Sequence, residues 1–257
     1  MMRWHALMAL CFIFLASGIY SHAIAAPPAL SVEGLNQNSM VRVGRLYLTR
    51  STVVTQGAEE EIRLGRPVAC ADQRVRLLVA ENLQQVRPGA ICTAASKALA
   101  FSVAQSGGQR VSVEIRMVPP RVAYSSSPWR VGRFPKLVLV APELATSQAT
   151  LANVADLVAH EVFHVAMLAA GHEHVGTNED AAYHFGLCGQ LLALGVVWPS
   201  AMPGYSLESS DANVAASSSA AERVRSELMA KAGERPITVD EPLGRELLAA
   251  CREVRPR

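Results

Sequence analysis

Apolar positions along the chain fall into short alternating runs in the first half and long helix-spaced runs in the second. Val41–Leu48 (VRVGRLYL) alternates loosely and predicts a strand, after an extended lead over 27–38. Arg74–Val86 (RVRLLVAENLQQV) and Thr93–Gln105 (TAASKALAFSVAQ) carry helical spacing and are split by Arg87-Pro88-Gly89. Gly107-Gly108 turns the chain into Val111–Val118 (VSVEIRMV), an alternating strand ended by Pro119-Pro120. A Ser- and Pro-rich stretch holding Trp129 and Phe134 reads as a loop, and Lys136–Ala141 (KLVLVA) as a short apolar strand stopped by Pro142. A long helix follows from about Ser147 to Ala170, with Ser147 or Thr150 as N-cap and Gly171 beyond its end. A second runs from about Asn178 to Val197 and is ended by Trp198-Pro199. Residues 205–220 read as a surface loop, and Ala221–Ala232 and Pro242–Val254 as two C-terminal helices. Strands early and helices late predict an α+β fold.

The first 26 residues do not belong to that pattern. Arg3 precedes an apolar run over Ala6–Ile19, and Ala23-Ile24-Ala25 supplies the small-x-small site of a secretory signal peptide. The run is short for a membrane span, which needs ~20 apolar residues. The expectation is a signal peptide over 1–26 and one exported domain over 27–257, periplasmic or secreted, with no stable membrane insertion after cleavage. Half of the 257 residues are hydrophobic and 18% are charged, which excludes a disordered chain. The formal net charge of +2 lacks the basic excess of a nucleic-acid-binding domain, so no nucleic-acid partner is expected.

Export agrees with the cysteines. Beyond Cys11 in the leader there are four: Cys70, Cys92, Cys188 and Cys251. An even number in an oxidising compartment predicts two disulfides, and the proximity of the predicted helices favours Cys70–Cys92 with Cys188–Cys251. None has the CxxC-type spacing of a zinc site.

Chemistry concentrates in one window. Five of the seven histidines lie between 160 and 184: His160, His164, His172, His174 and His184. In His160-Glu161-Val162-Phe163-His164, the histidines stand four apart, so on a helix both imidazoles project from one face. Two neutral nitrogens held that way can grip a Zn²⁺ ion at ~2.0–2.1 Å. Glu161, about 100° further round the helix, is turned toward a water on the metal rather than toward the metal itself. Zinc lowers the pKa of such a water toward ~7, and the carboxylate can take its proton. Leu151, Val154, Leu157, Val158, Val162, Val165 and Leu168 embed the motif in an apolar helix, where ionisable groups are costly unless paired or metal-bound.

This HExxH motif in a long apolar helix, preceded by the KLVLVA strand, resembles the zincin metallopeptidases. The resemblance covers roughly 136–197 and implies a small β-sheet packed on the HExxH helix, with His160 and His164 as zinc ligands and Glu161 as catalytic base. A catalytic zinc usually has three protein ligands, so a third is required. The metzincin continuation is missing, since Val165-Ala166-Met167 follows His164. Glu179-Asp180-Ala181-Ala182-Tyr183-His184-Phe185 resembles the third-ligand helix of gluzincins and implies Glu179. Gly176-Thr177 with Asp180 and Tyr183 resembles the aspzincins and implies Asp180, although the spacing differs by one residue and no Gly follows the Tyr. Thr177-x-x-Asp180 also fits a capping box, which would occupy Asp180 at the helix start. Glu179 shares a helix face with Ala182, Gly186 and Ala193, small residues that admit a neighbouring helix. Glu179 is therefore the favoured ligand and Asp180 the alternative.

Tyr183, four residues after Glu179, is either an oxyanion donor facing the same cleft or a half-buried helix tyrosine. His172 and His174 either rim the cleft or are solvated, and His184 is expected to pair with Asp180. Trp129 and Phe134 either line a substrate groove or pack beneath their loop. The expected function is zinc-dependent hydrolysis of a peptide or protein substrate. The alternative is a non-catalytic zinc-binding or interaction protein of the cell envelope on a zincin scaffold.

Overall fold

The computed structural model describes residues 41–43, 46–48, 52–55, 61–83, 87–108, 110–120, 125–131, 134–169, 179–199 and 212–253. The expected signal peptide lies outside these residues, as do His172 and His174. The architecture is mixed α+β, as the strand-then-helix order predicts.

The segment read as one strand over 41–48 is two, β1 (Val41–Val43) and β2 (Leu46–Leu48). They pair antiparallel and continue into β3 (Thr52–Thr55) and β4 (Glu61–Arg63) as a four-stranded meander. A five-stranded sheet follows. It is built from β5 (Val68–Ala69), β6 (Val75–Val79), β7 (Ser112–Val118), β8 (Ser125–Val131) and β9 (Phe134–Pro142), in the order β5-β6-β7-β9-β8. The three central strands β6, β7 and β9 are parallel, while β5 and β8 run antiparallel at the two edges. Helix α1 (Pro88–Gln105) makes the crossover that parallel β6 and β7 require, and β8 returns the chain so that β9 can lie parallel to β7.

Two of these strands correct the sequence reading. Val75–Val79 is a strand, not the start of a helix over 74–86. A five-residue apolar run is ambiguous by periodicity, and pairing with β7 from Val75↔Val113 to Val79↔Met117 overrides its helical propensity. Residues 125–131 are likewise a strand rather than a loop, so Trp129 sits opposite Lys136 and Phe134 opposite Val131 in the β8–β9 ladder. An edge strand tolerates the missing donor of Pro128. Helix α1 begins at Pro88, five residues before the expected Thr93, because proline suits the first helical turn, where its missing N–H is no loss.

One face of the large sheet forms the core. Val75, Leu77, Val113, Ile115, Met117, Leu137 and Leu139 pack with Ile91, Ala95 and Leu99 of α1 and with Val154, Val158 and Val162 of α2 (Ser147–Ala169). The opposite face of β7 buries charge, with Glu114 bonded to Arg116 at 2.8 Å and to Lys136 at 3.4 Å. Paired this way, the buried charges avoid the large penalty of an isolated ion. Thr146, rather than Ser147 or Thr150, caps α2: its hydroxyl accepts from the Ala149 amide, while the Thr150 hydroxyl accepts from Leu144 and donates to the Thr146 carbonyl.

Helix α3 (Glu179–Leu194) lies against α2 and ends earlier than expected. Gly195 adopts φ +73° and its amide bonds back to Leu191, a left-handed stop that non-glycine residues rarely accept. Val196–Val197 then forms β10, paired with β11 (Ile237–Thr238). Helix α4 (Ala212–Ala232) begins inside the stretch read as a loop over 205–220, since its alanines outweigh the serine run in helix propensity. With α5 (Pro242–Glu253) it packs on the far side of α3 through Leu187, Leu191, Val224 and Leu228.

Both expected disulfides are present, Cys70–Cys92 and Cys188–Cys251. The second joins α3 to α5, but the first ties the segment after β5 to α1 rather than linking two helices. No described helix is long and apolar enough to cross a membrane.

Candidate metal centre

Helix α2 is buried along nearly its whole length, and four of its polar residues lie in one stripe. Asn153, Asp156, His160 and His164 recur at intervals of three and four, so they share a face, and all are nearly or fully buried. Around that stripe, Val158 and Val162 hold α2 to the sheet, while Ala159, Phe163 and Met167 meet Ala182 and Phe185 of α3.

Close approach of α3 sets the site. At Gly186 a Cβ would stand 2.5 Å from the Asp156 carboxylate, and at Gly189 it would stand 2.5 Å from the Ala159 Cβ and 2.9 Å from the Ala155 carbonyl oxygen. With hydrogen at those positions, the first residue of α3 reaches the histidines. Glu179 places Oε2 3.4 Å from His160 Nε2 and Oε1 3.3 Å from His164 Nε2, and the two Nε2 atoms face each other at 3.0 Å. Its position in the first turn also suits a carboxylate, because unpaired helix N–H groups favour negative charge there.

Among the described residues, His160, His164 and Glu179 form the one group of metal-ligand side chains that converges on a point. The two Nε2 atoms stand 3.0 Å apart and each has a different Glu179 oxygen at 3.3–3.4 Å, close to the ligand spacing of about 3.3 Å that a tetrahedral ion with bonds of ~2.0–2.1 Å imposes. Facing nitrogens at 3.0 Å require either a proton on one ring or a shared cation. The Nδ1 atoms of both rings are buried and lack a hydrogen-bond partner among the described residues. With Nε2 given to a cation, those Nδ1 atoms would carry the protons. The donor set thus fits a divalent ion of the zinc class.

The electrostatics agree with that geometry. Burial alone would lower the His160 pKa, but the Glu179 contact and the charges of Glu161, Glu179 and Asp156 outweigh it and raise it. For Glu179, burial opposes ionisation, yet its contacts to His160 and His164 hold its pKa far below the usual carboxylate range. Asp156 is pushed up to about 6 because it is fully buried, an effect that His160 and a hydrogen bond from Gln190 reduce but do not cancel.

Glu161 is buried beside the triangle and outside it, with Oε1 4.0 Å from His160 Nε2, in keeping with a residue turned away from the ligand face. Asp180 does not join the group. It points outward to an ion pair with Arg223 at 2.8 Å, both side chains more than half exposed. Nor does His184 pair with the Asp180 carboxylate: its Nδ1 meets the Asp180 backbone carbonyl at 2.7 Å, and its Nε2 lies 3.9 Å from Glu227. Tyr183 is nearly fully buried, with its ring edge-on to His160 at 4.5 Å between centroids. Sequence reading passed over Asp156 and Gln190, which are hydrogen-bonded to each other between α2 and α3. A carboxylate four residues before His160 in an otherwise apolar helix was the available signal.

Set against models of known protein families, against curated proteins and against solved structures, the chain matches none.

Proposed function

We propose that this chain is an exported zinc-dependent metallopeptidase on a zincin-like scaffold, with Glu161 as general base. The observation that carries this reading is the convergence of His160 Nε2, His164 Nε2 and the Glu179 carboxylate, with the Glu161 carboxylate beside them. Two imidazoles and one carboxylate form a zinc donor set that leaves a fourth position open. Zinc held there supplies Lewis acidity, making water nucleophilic near neutral pH and stabilising negative charge on a carbonyl oxygen. Glu161 accepts the proton of the attacking water and returns it to the leaving amine. The Tyr183 phenol is the proposed donor to the developing oxyanion, while its ring holds His160 in place. Export is supported by the two disulfides, which belong to oxidising compartments.

The test measures zinc per mole in the wild type, Glu179→Ala and Asp180→Ala, then peptide-library cleavage by the wild type and Glu161→Gln. One zinc in the wild type and in Asp180→Ala, lost from Glu179→Ala, is expected. Glu161→Gln should keep the metal and lose turnover by at least a hundredfold. Zinc without cleavage of any peptide would replace this reading with a non-catalytic zinc-binding protein, and no zinc would remove both.

A further inference from the structure

The first turn of α3 is held from two sides. Glu179 points inward to His160 and His164, and Asp180, about 100° further round, points outward to α4. There the Arg223 guanidinium forks onto the Asp180 carboxylate: Nε donates to Oδ1 at 3.1 Å, and Nη2 donates to Oδ1 at 2.9 Å and to Oδ2 at 2.8 Å. One turn on, His184 Nε2 lies 3.9 Å from Glu227, itself one turn beyond Arg223. The His184 Nδ1 donates to the Asp180 backbone carbonyl at 2.7 Å, since a carbonyl can only accept. Both contacts to α4 advance by four residues, so the two rungs stay in register along α3 and α4. Tyr183 shares a buried apolar cluster with Ala220, Ala221 and Val224 of α4, while its ring meets His160 edge-on at 4.5 Å. This grip matters because a first-turn residue is weakly tied: the leading N–H groups of a helix have no partner within it, and helix ends fray. A side chain about 6 Å from the helix axis moves about 1 Å when the helix turns by about 10°. Metal–ligand distances tolerate about ±0.2 Å, so a turn of about 2° at the start of α3 is felt at the metal.

We infer that Arg223 is a positioning residue of the metal centre: by forking onto Asp180 it fixes the rotation of the first turn of α3, and so the place of the Glu179 carboxylate between His160 and His164. The inference rests on Glu179 being a metal ligand. Arg223 acts on the metal through the peptide that joins Asp180 to Glu179. Both side chains of the fork are more than half exposed, so the pair adds little to global stability, but its bidentate geometry supplies direction. Position and charge here pull in opposite directions. Removing a positive charge strengthens the binding of a divalent cation by Coulomb's law, whereas releasing the first turn weakens it.

The experiment uses the full chain and compares Arg223→Gln, Asp180→Asn and the double variant with the wild type. Zinc affinity is measured by competition with a chromophoric chelator. The ligand-field absorption of the cobalt(II)-loaded protein reports the geometry of the donor set. Arg223→Gln is expected to lower zinc affinity about two- to fivefold at unchanged stoichiometry, the range that a well-formed surface pair contributes. Its cobalt spectrum should shift, which loss of stability alone would not produce. The double variant should lose no more than the weaker-binding single variant, because both substitutions break one fork. Zinc affinity at or above that of the wild type in Arg223→Gln overturns the role of Arg223 while leaving the metal centre intact. Weaker binding with an unmoved cobalt spectrum, or single effects that simply add in the double variant, overturns it as well. A wild-type chain that takes up neither zinc nor cobalt overturns the metal centre itself, and this inference with it.

Discussion

Gly189→Ala probes the contact on which the site depends. The new methyl would stand 2.5 Å from Ala159 Cβ and 2.9 Å from the Ala155 carbonyl oxygen. Relaxed carbon contacts need about 3.5–4.0 Å, so one helix must retreat by about 1 Å. Neither neighbour is the flexible end of a long side chain, so α3 moves as a body. Glu179 lies ten residues before Gly189, about 15 Å along the same helix at 1.5 Å per residue. Metal–ligand distances tolerate about ±0.2 Å, so a shift of this size on one of three ligands weakens metal binding even though no ligand is altered. Overpacking of this kind costs about 1–3 kcal/mol, against about 1 kcal/mol gained when alanine replaces glycine in a helix. Gly89→Ala in α1 separates the two effects, because a Cβ there meets nothing within 4 Å. That control should gain about 0.4–1 kcal/mol. Urea unfolding with disulfides intact, together with zinc titration, compares the variants. Gly189→Ala should fall below Gly89→Ala by about 1–3 kcal/mol and bind zinc more weakly than the wild type. If it matches Gly89→Ala in stability and the wild type in affinity, the argument that glycine sets the α2–α3 distance is refuted.

Two further outcomes follow from the same structure. Removing Cys188–Cys251, whose cysteines are 63 residues apart, should cost about 4 kcal/mol by the chain-entropy model, and removing Cys70–Cys92, 22 apart, about 3 kcal/mol; equal losses in urea unfolding of the paired Cys→Ser variants would contradict that model. In metal-free protein, Asp156 binds a proton more tightly folded than unfolded, so its contribution is present below pH 3.8 and is lost as pH rises through about 6. The raised pKa of His160 acts in the same direction above its ordinary value of 6.5, whereas the lowered pKa of Glu179 removes stability only as pH falls below 4.5. Metal-free stability should therefore decline from about pH 5 to 8, and Asp156→Asn should reduce that decline by about 1.4 kcal/mol, the cost of the one pH unit between 5 and the Asp156 pKa of about 6. Zinc-loaded protein should show the opposite slope, because its ligands must be deprotonated. Parallel slopes in calorimetry at several pH values would refute the assignment.

The residues that encode the centre were largely legible in one dimension. The four-residue spacing of His160 and His164 puts both rings on one face of any helix, and the helix-spaced apolar residues around them mark the segment as a helix. Even cysteine parity and the order of strands before helices needed no third dimension. Other decisions depended on partners distant in the chain. Val75–Val79 is a strand because β7 lies beside it, and 125–131 is a strand because β9 does; neither pairing is written in the local pattern. Glu179 and Asp180 are neighbours about 100° apart on a helix, so the chain alone places one of them inward without saying which. That choice was made by the packing of α3 on α2 at Gly186 and Gly189, and by Arg223 of α4, which holds Asp180 at the surface. The hydrogen bond from Gln190 to Asp156 was beyond sequence reading for the same reason. Periodicity records which face of an element is buried, whereas the groups that meet across that face are decided only when two helices come within contact.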